Sequence, residues 1–250
     1  MSSSTPTTYF VSGANRGIGF GLVQQLAKRD NVLVFAGARD PTKATALNSL
    51  ADETGRVVVV KLESTSEEDA QAAAQLVKDK VGKLDYLVAN AGIGLPEAIL
   101  PVLDMTRDLV DQHYAVNTVG PFLLFQAFAP LLFAAPAPHF VAISTMIASL
   151  SIALPAPFTA YGMSKAALNF LIVKVAIEHG TEKDRLAAYA ISPGFAQTDM
   201  GAAGAKGMGL DEAPVKLEDS VQGVLKVIDS ATLEKSGGKF WDYTGDELTW

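Results

Sequence analysis

The chain has 250 residues, a formal net charge of −7, 49% hydrophobic residues and no cysteine. This composition supports a sizeable buried core and excludes a disordered chain, a disulfide framework and a thiolate nucleophile. The acidic balance argues against a nucleic-acid-binding surface, which would carry a basic stripe.

Residues 1–8 are rich in Ser and Thr and contain no basic segment followed by an apolar run. We therefore expect a short flexible lead, no signal peptide and a cytoplasmic protein. The longest apolar stretch, residues 121–138, is broken by prolines and a glutamine, so we expect no membrane span.

Short β-prone runs then alternate with helical patterns along the chain. Strands are expected at 9–12, 31–36, 57–60, 84–89, 140–144, 186–191 and 239–243, and helices at 18–29, from Asp40-Pro41, from Ser66, and at 105–133, 160–179 and 220–229. This alternation predicts an α/β fold of Rossmann type, a doubly wound parallel sheet of about seven strands with helices on both faces. We expect one domain, 1–250, in which residues of about 199–215 form either a substrate lid or a plain surface loop.

The first strand runs into a glycine-rich turn that opens the first helix. Gly13 permits a tight turn, and Gly17 and Gly19 let the backbone approach a phosphate at the helix N-terminus, where free N–H groups favour an anion. The spacing is G-x-x-x-G-x-G, and its position between strand and helix predicts a dinucleotide site.

An arginine, Arg39, ends the second strand, where NAD-binding sites often place an acidic residue. A guanidinium there suits a 2′-phosphate, and Arg16 in the glycine turn adds a second positive charge. We therefore expect NADP(H) as the cofactor; the alternative is that both arginines are solvated surface residues. Asp40 is explained as a helix N-cap.

Tyr161 and Lys165 are spaced to share one helix face. A phenol is a poor acid–base catalyst at neutral pH, and a nearby ammonium is expected to lower its pKa. Taken alone, this spacing also occurs by chance on many helices.

Further motifs follow the glycine turn along the chain in the order Asn90-Ala91-Gly92, Asn117, Tyr161 with Lys165, and Pro193-Gly194. With these motifs in this order, the whole chain resembles the short-chain dehydrogenase/reductase family. The Gly-Gly-Lys-Phe segment near the end, Trp250 and residues 166–169 resemble fungal ketoreductases and sniffer-like carbonyl reductases within it.

The resemblance implies roles for individual residues. Tyr161 would exchange a proton with the substrate oxygen, Lys165 would hold the nicotinamide ribose, and Asn117 would hold a water that relays protons. The implied cofactor contacts are Gly13, Asn15, Arg16, Gly17, Ile18, Gly19, Arg39, Leu62, Glu63, Asn90, Ala91, Gly92, Tyr161, Lys165, Pro193, Gly194, Phe195 and Thr198.

The sequence departs from the family at the catalytic serine, because the usual Ser-Ser pair reads Ser144-Thr145. Thr145 carries a hydroxyl that can do the same work with a more restricted rotamer. Ser144 and Ser149 remain the alternatives, and ordinary strand-end capping would also explain all three.

The helix that carries Tyr161 is apolar almost all round, which predicts burial on more than one side. We expect a homodimer or homotetramer whose interface includes this helix and the long helix before it. His113 and His179 are expected on helix surfaces, and the three histidines lack metal-ligand spacing, so no metal site is expected.

These observations predict NADPH-dependent reduction of a hydrophobic ketone or aldehyde, or the reverse oxidation, with Tyr161 as general acid/base. The apolar residues expected to line the pocket are Ile93, Leu95, Met146, Leu154, Phe158, Phe195 and Met200. Two alternatives remain, an NAD-linked alcohol dehydrogenase and a non-catalytic NADP(H)-sensing protein.

Overall fold

A computed structural model of the chain describes residues 5–152 and 155–250. They form one sheet of eight strands in the order β3-β2-β1-β4-β5-β6-β7-β8, parallel throughout except that β8 runs antiparallel to β7. The strands are β1 Thr7–Val11, β2 Val32–Ala38, β3 Val57–Lys61, β4 Tyr86–Ala89, β5 His139–Ile143, β6 Ala187–Ser192, β7 Phe240–Asp242 and β8 Glu247–Leu248. The seven expected strands and the doubly wound α/β class are confirmed; β8, with two residues, carries no sequence signal.

The first strand begins earlier than expected, at Thr7. Thr8 is buried, and its N–H and hydroxyl both donate to the Asp85 carboxylate, each over 2.8 Å. The expected flexible lead over 1–8 is therefore wrong at Thr7 and Thr8, because Asp85 and the pairing with β2 satisfy their polar groups. Residues 1–4 of that lead lie outside the described residues.

Nine helices connect the strands within the described residues. They are α1 Gly17–Leu26, α2 Thr45–Thr54, α3 Glu67–Val81, α4 Arg107–Tyr114, α5 Gly120–Leu132, α6 Thr159–His179, α7 Asp199–Gly207, α8 Leu217–Ser230 and α9 Leu233–Ser236. The expected cap at Ser66 is confirmed, since its hydroxyl accepts from the Asp69 N–H over 3.1 Å. Asp40 also caps, but it opens a short 3₁₀ turn, Pro41–Lys43, that precedes α2.

The core lies on both faces of the sheet. Leu22 of α1, Leu47 of α2 and Val224 of α8 pack with one face of the strands. On the other face Val77 of α3 and Leu168 of α6 pack with the side chains of the alternate strand positions. Because each central strand is covered twice, its residues are apolar without alternation.

Two helical stretches, Arg107–Leu132 and Thr159–His179, are long and apolar enough to span a membrane by length and composition alone. Both contribute side chains to the core between sheet and helices, for example Leu124 and Ile172. Their apolar character therefore has a source in the packing of the fold.

The long helix expected over residues 105–133, with a break near Gly120-Pro121, is interrupted directly before these two residues. A π-helical turn, Ala115–Val119, joins α4 to α5, and Pro121 sits in the first turn of α5. Such turns occur often at functional sites, and this one contains Asn117.

The strand order reverses between β1 and β4, which lie side by side although two strands separate them in sequence. The connections that leave the carboxyl ends of β1 and β4 therefore run to opposite sides of the sheet. A crevice opens at this point, and ligands of such sheets bind there.

Candidate active site

The residues expected at the site all follow the carboxyl ends of β1 to β6 or lie in the helices that leave those ends. The glycine turn follows β1, Arg39 follows β2 and Glu63 follows β3. Asn90 follows β4, and Thr145 follows β5. The fold thus brings segments from distant parts of the chain to one edge of the sheet.

The glycine turn has the backbone that its sequence requires. Gly13 and Gly17 have φ angles of 62° and 55°, a left-handed conformation that favours glycine. A Cβ at Gly19 would overlap the Gly13 carbonyl and the Asn90 side chain. The first turn of α1 has no acidic residue, and its N-cap residue Arg16 makes no side-chain cap hydrogen bond. The α1 N-terminus therefore offers free N–H groups to an anion.

Two polar side chains fix this turn to the end of β4. The Ser12 hydroxyl accepts from the N–H groups of Asn90 and Ala91, each over 3.0 Å. The Asn90 amide donates to the carbonyls of Ser12 and Gly13 over 2.9 and 3.1 Å. Asn90 was expected as a cofactor contact, and in the structure its amide group holds the glycine turn. Ser12 was not anticipated, because its partners lie almost eighty residues away.

Both arginines expected near a 2′-phosphate are paired with carboxylates. Arg39 Nε lies 3.0 Å from Glu63 Oε2, and Arg16 Nη1 lies 3.3 Å from Asp199 Oδ2. All of these groups except Glu63 are largely exposed. The Asp40 carboxylate turns away to Thr42 and Lys43. Arg39 and Glu63 thus lie together beyond the ends of β2 and β3 as an ion pair.

The remaining cofactor candidates differ in exposure. Leu62 is 6% exposed and packs in the core beside Gly37. Asn15 is exposed, and Ile18 is half-buried against the core. Gly194 has a φ of 73°, and Thr198 caps α7 by accepting from the Gly201 N–H over 3.0 Å. The Pro193 carbonyl accepts a 2.6 Å hydrogen bond from the buried Ser220 hydroxyl, and Phe195 packs on α7. Ala91 and Gly92 directly follow Asn90 in the segment after β4.

Tyr161 and Lys165 lie one turn apart at the start of α6, next to the end of β5. Burial raises the pKa of Tyr161 to about 12, and the neighbouring Thr145 hydroxyl works in the lowering direction. Burial lowers the pKa of Lys165 to about 8. The expected lowering of the Tyr161 pKa by Lys165 is therefore wrong for this structure. The lysine donates instead to the Ile143 carbonyl over 2.7 Å, and desolvation of the phenolate dominates.

The two adjacent hydroxyls after β5 have different partners. The Ser144 hydroxyl is buried and donates to Asn169 Oδ1 of α6 over 2.6 Å. The Thr145 side chain accepts from the Ile147 N–H over 3.3 Å and lies close enough to Tyr161 to affect its pKa. The Ser149 hydroxyl accepts from the Ile152 N–H in a local turn. Of the three alternatives, Thr145 is the hydroxyl that the fold places against the phenol.

Asn117 is fully buried in the π-helical turn. Its Oδ1 accepts from the Ile93 N–H over 2.8 Å, and its Nδ2 donates to the Ile93 carbonyl over 2.9 Å and to the Ser164 hydroxyl over 3.0 Å. A Cβ at Gly92 would lie 3.1 Å from Asn117 Oδ1 and 3.3 Å from Lys165 Nζ. Asn117 therefore stands near Lys165; its water relay stays a prediction.

Two residues near the site differ from expectation or escaped notice. His113, expected on a helix surface, is fully buried. Ser192 at the end of β6 accepts from the Met146 N–H over 3.1 Å and fixes the turn that carries Thr145. Neither has a sequence signal, because both interact with backbone atoms of distant segments.

Part of the segment expected as a lid or loop over 199–215 is a helix, α7. It packs closely on the site: a Cβ at Gly204 would lie 3.3 Å from the Phe195 ring, and one at Gly207 would lie 2.7 Å from Ile99. A Cβ at Gly94 would lie 3.2 Å from Met200 Sδ. Met200, in the first turn of α7, thus lies near the Tyr161 ring.

These residues fit a dinucleotide. The positive φ at Gly13 and Gly17 and the overlap that a Cβ at Gly19 would cause keep the backbone of the turn bare. The α1 N-terminus leaves N–H groups for a pyrophosphate, and Lys165 and Tyr161 lie across the β1–β4 crevice from it. No group of three or more metal-ligating side chains occurs in residues 5–152 and 155–250.

Known proteins resemble this chain over almost its full length. A family model described as enoyl-(acyl carrier protein) reductase matches residues 13–220. The norsolorinic acid ketoreductase of Aspergillus parasiticus is 39% identical over 98% of this chain and 91% of its own. A short-chain dehydrogenase of Pyricularia oryzae is 36% identical over 99% of this chain and 100% of its own.

Solved structures give the same picture. NADPH-bound carbonyl reductase from chicken fatty liver superposes with a TM-score of 0.88 at 32% identity, over 99% of this chain and 100% of that one. Carbonyl reductase Sniffer of Drosophila melanogaster superposes with a TM-score of 0.86 at 23% identity, over the same shares, a likeness of fold alone.

Proposed function

This chain belongs to the short-chain dehydrogenase/reductase family, and on that premise we propose that it is an NADPH-dependent carbonyl reductase acting on hydrophobic ketones or aldehydes. The observation that carries the proposal is the grouping of Thr145, Tyr161 and Lys165 across the β1–β4 crevice from the open α1 N-terminus. The names of the ketoreductase and carbonyl reductase relatives support it.

The bound dinucleotide supplies the hydride that the carbonyl carbon accepts. The chain's own residues orient the carbonyl and move the proton. The Thr145 hydroxyl donates a hydrogen bond to the substrate oxygen, and the Tyr161 hydroxyl gives that oxygen its proton. Since the pKa of Tyr161 is raised to about 12, the phenol is protonated at neutral pH and ready to act as the acid.

Lys165 supplies positive charge at the nicotinamide ribose. Its pKa of about 8 keeps the ammonium form in the majority at neutral pH. The 2.7 Å bond to the Ile143 carbonyl holds the amine near the end of β5 and leaves two of its protons for ribose hydroxyls. This arrangement favours reduction at neutral pH, because the reverse reaction needs the phenolate.

Preference for NADPH over NADH rests on Arg39 and Arg16. The ion pair of Arg39 with Glu63 is made through Nε, and the edge of the guanidinium formed by its two Nη groups would make a bidentate contact to a 2′-phosphate. The Asp40 carboxylate is taken up by Thr42 and Lys43 and does not oppose a phosphate. The NADPH-bound carbonyl reductase among the solved relatives agrees with this choice.

One observation favours the second candidate, an NAD-linked alcohol dehydrogenase. Both arginines have carboxylate partners, which offsets part of their positive charge. Comparing the KM for NADH with that for NADPH decides between the two candidates, and a KM for NADH equal to or below that for NADPH would favour this one.

The substrate class follows from the apolar side chains around Tyr161. Met200 lies near Tyr161 on the far side of Gly94, and Phe158 and Phe195 both lie close to Gly204 of α7. Leu154, also expected in the lining, lies outside the described residues. With no cationic side chain in that set, we propose aryl or alkyl carbonyl compounds over small anionic keto acids.

A homo-oligomer is part of the proposal. On α6 the side chains of Phe170 and Ile177 are 68% and 66% exposed, and α5 leaves Phe122 exposed on the same side of the sheet. Large apolar side chains exposed in this number mark an interaction surface. Light scattering on the purified protein should give a dimer or tetramer, and Phe170→Lys with Ile177→Lys should lower the mass; a monomeric wild type would refute this part.

The activity test measures consumption of NADPH and NADH with a panel of aryl and alkyl ketones. Wild type should turn over with NADPH, and Tyr161→Phe should lose at least about a hundredfold in kcat because it lacks the proton donor. NADPH affinity, measured separately, should change little. Full turnover by Tyr161→Phe would overturn the assigned role, and NADPH binding without turnover of any carbonyl would favour a non-catalytic sensor.

A further inference from the structure

His113 is a buried polar residue for which the proposed reaction has no use. Its side chain on α4 is fully buried, and both ring nitrogens contact backbone atoms. Nδ1 lies 2.6 Å from the Leu109 carbonyl of the same helix, and the Leu95 N–H points to Nε2 over 3.2 Å. A carbonyl needs a donor and an N–H needs an acceptor, so Nδ1 donates and Nε2 accepts.

Asn117 follows one turn later and holds the same stretch of backbone. It bonds to both the N–H and the carbonyl of Ile93, while His113 accepts from the N–H of Leu95. Residues 93–95, here called the pocket segment, are therefore held by hydrogen bonds at Ile93 and at Leu95. The π-helical turn begins between those two side chains.

The pocket segment forms a wall beside the reacting groups. At its centre is Gly94, where a Cβ would lie 3.7 Å from Cδ2 of the Tyr161 ring and 3.2 Å from Met200 Sδ. Gly92, just before the segment, adjoins Lys165 in the same way. A shift of this backbone by a fraction of an ångström thus changes the space between Tyr161 and its neighbours.

We propose that His113 is a positioning residue, which through the Leu95 N–H fixes the pocket segment against Tyr161 and so holds the carbonyl substrate in line for proton transfer. The part that concerns the reaction rests on the proposed function; the fixing of the pocket segment by His113 does not. Small displacements of positioning groups cost large factors in rate, and a backbone N–H left without its buried partner opens more readily.

Three substitutions separate the two hydrogen bonds of the ring. His113→Gln keeps an acceptor that reaches toward the Leu95 N–H. His113→Asn keeps a donor for the Leu109 carbonyl within its own helix and loses the bond to the pocket segment. His113→Phe keeps an aromatic volume and loses both bonds. His139→Phe is the matched control. His139 is also a buried histidine, but it lies at the start of β5, where it stacks on Tyr86 of β4 and not on the pocket segment.

The first readout is amide hydrogen exchange at Leu95, which needs no substrate. Exchange should speed up about tenfold in His113→Asn and His113→Phe, and stay near the wild-type rate in His113→Gln and His139→Phe. Equal exchange at Leu95 in all four variants and wild type would overturn the inference.

The second readout separates kcat from cofactor binding. With a carbonyl that wild type reduces, kcat should fall about tenfold in the Asn and Phe variants at position 113, with recovery in His113→Gln. The Kd for NADPH should stay unchanged in all of them. Equal kcat across the series, or a loss that follows thermal stability alone, would overturn the inference; no turnover by wild type would count instead against the proposed function.

Discussion

Thr145→Val tests which of two neighbouring hydroxyls serves the reaction. The substitution keeps the β-branched shape and removes the hydroxyl beside the Tyr161 phenol. That hydroxyl favours the charged form of Tyr161 and, in the proposed reaction, donates to the substrate oxygen. Loss of one such donor costs about 10²–10³ in kcat, and we expect a decrease in that range.

Ser144→Ala is the matched perturbation one residue earlier. It removes the 2.6 Å bond to Asn169 Oδ1, and Asn169 Nδ2 already has no hydrogen-bond partner among the residues that the structure describes. The buried Asn169 amide then lacks a hydrogen-bond partner at its oxygen as well as at its nitrogen, which costs about 1–3 kcal/mol of unfolding free energy. In a chain of this size each kcal/mol lowers Tm by roughly 2–4 °C.

Steady-state reduction and thermal unfolding, measured on both variants, distinguish the two roles. Thr145→Val should lose kcat and keep its Tm within a few degrees, whereas Ser144→Ala should lose Tm and keep kcat within about twofold. Thr145→Ser should retain activity, because the hydroxyl remains. The reverse pattern, with Ser144→Ala inactive and Thr145→Val active, would refute the assignment of Thr145.

Three further predictions concern charge. Because burial lowers the pKa of Lys165 to about 8, kcat/KM for reduction should be highest below about pH 8 and fall above it as the ammonium deprotonates. Lys165→Arg should remove this fall at alkaline pH, because a guanidinium stays charged. An unchanged alkaline fall in the variant would contradict the assignment of the fall to Lys165. Arg39→Gln should raise the Kd for NADPH about tenfold and leave that for NADH unchanged. Glu63→Gln should lower the Kd for NADPH about threefold, since the half-buried carboxylate 3.0 Å from Arg39 Nε no longer offsets the charge of Arg39. Titration calorimetry with both nucleotides measures these effects, and equal changes for NADH would count against a 2′-phosphate contact.

Most of the fold was predictable because local signals and the global architecture agree. The glycine turn needs positive φ at Gly13 and Gly17, and only glycine adopts it without strain. The alternation of apolar strand runs with helical patterns is typical of one class of architecture, the doubly wound α/β sheet. Strand β8 and helix α7 were missed, because two residues carry no periodicity and a Gly/Ala-rich stretch carries no helix signal.

The site was predictable where residues from one segment act together and not where distant segments meet. Tyr161 and Lys165 share a helix face by their spacing alone. The resemblance to the family favoured Thr145 over Ser144, and the physical reason became visible only in the structure, where Asn169 takes up the Ser144 hydroxyl. His113 has exposed neighbours on its helix, and the backbone that bonds to its Nε2 lies at Leu95, eighteen residues earlier in the chain.

The polar side chains that surround the site bond mainly to backbone atoms of other segments. Asn90 holds the glycine turn, Asn117 holds Ile93, and Ser192 holds Met146. Such bonds depend on the path of the chain and not on the identity of the residues they reach. The reacting geometry therefore tolerates sequence change around it, provided that these few donors and acceptors remain.

Helix α7 is built on the opposite principle. Three of its nine residues are glycine, each costing about 1 kcal/mol of helix stability relative to alanine, and its contacts run through bare Cα surfaces against Phe195 and Ile99. An added side chain at Gly204 must displace Phe195, one of the residues expected to line the site, and one at Gly207 must displace Ile99. Substitutions in α7 should therefore change which carbonyl compounds are accepted, measured as ratios of kcat/KM, while the proton transfer from Tyr161 stays intact.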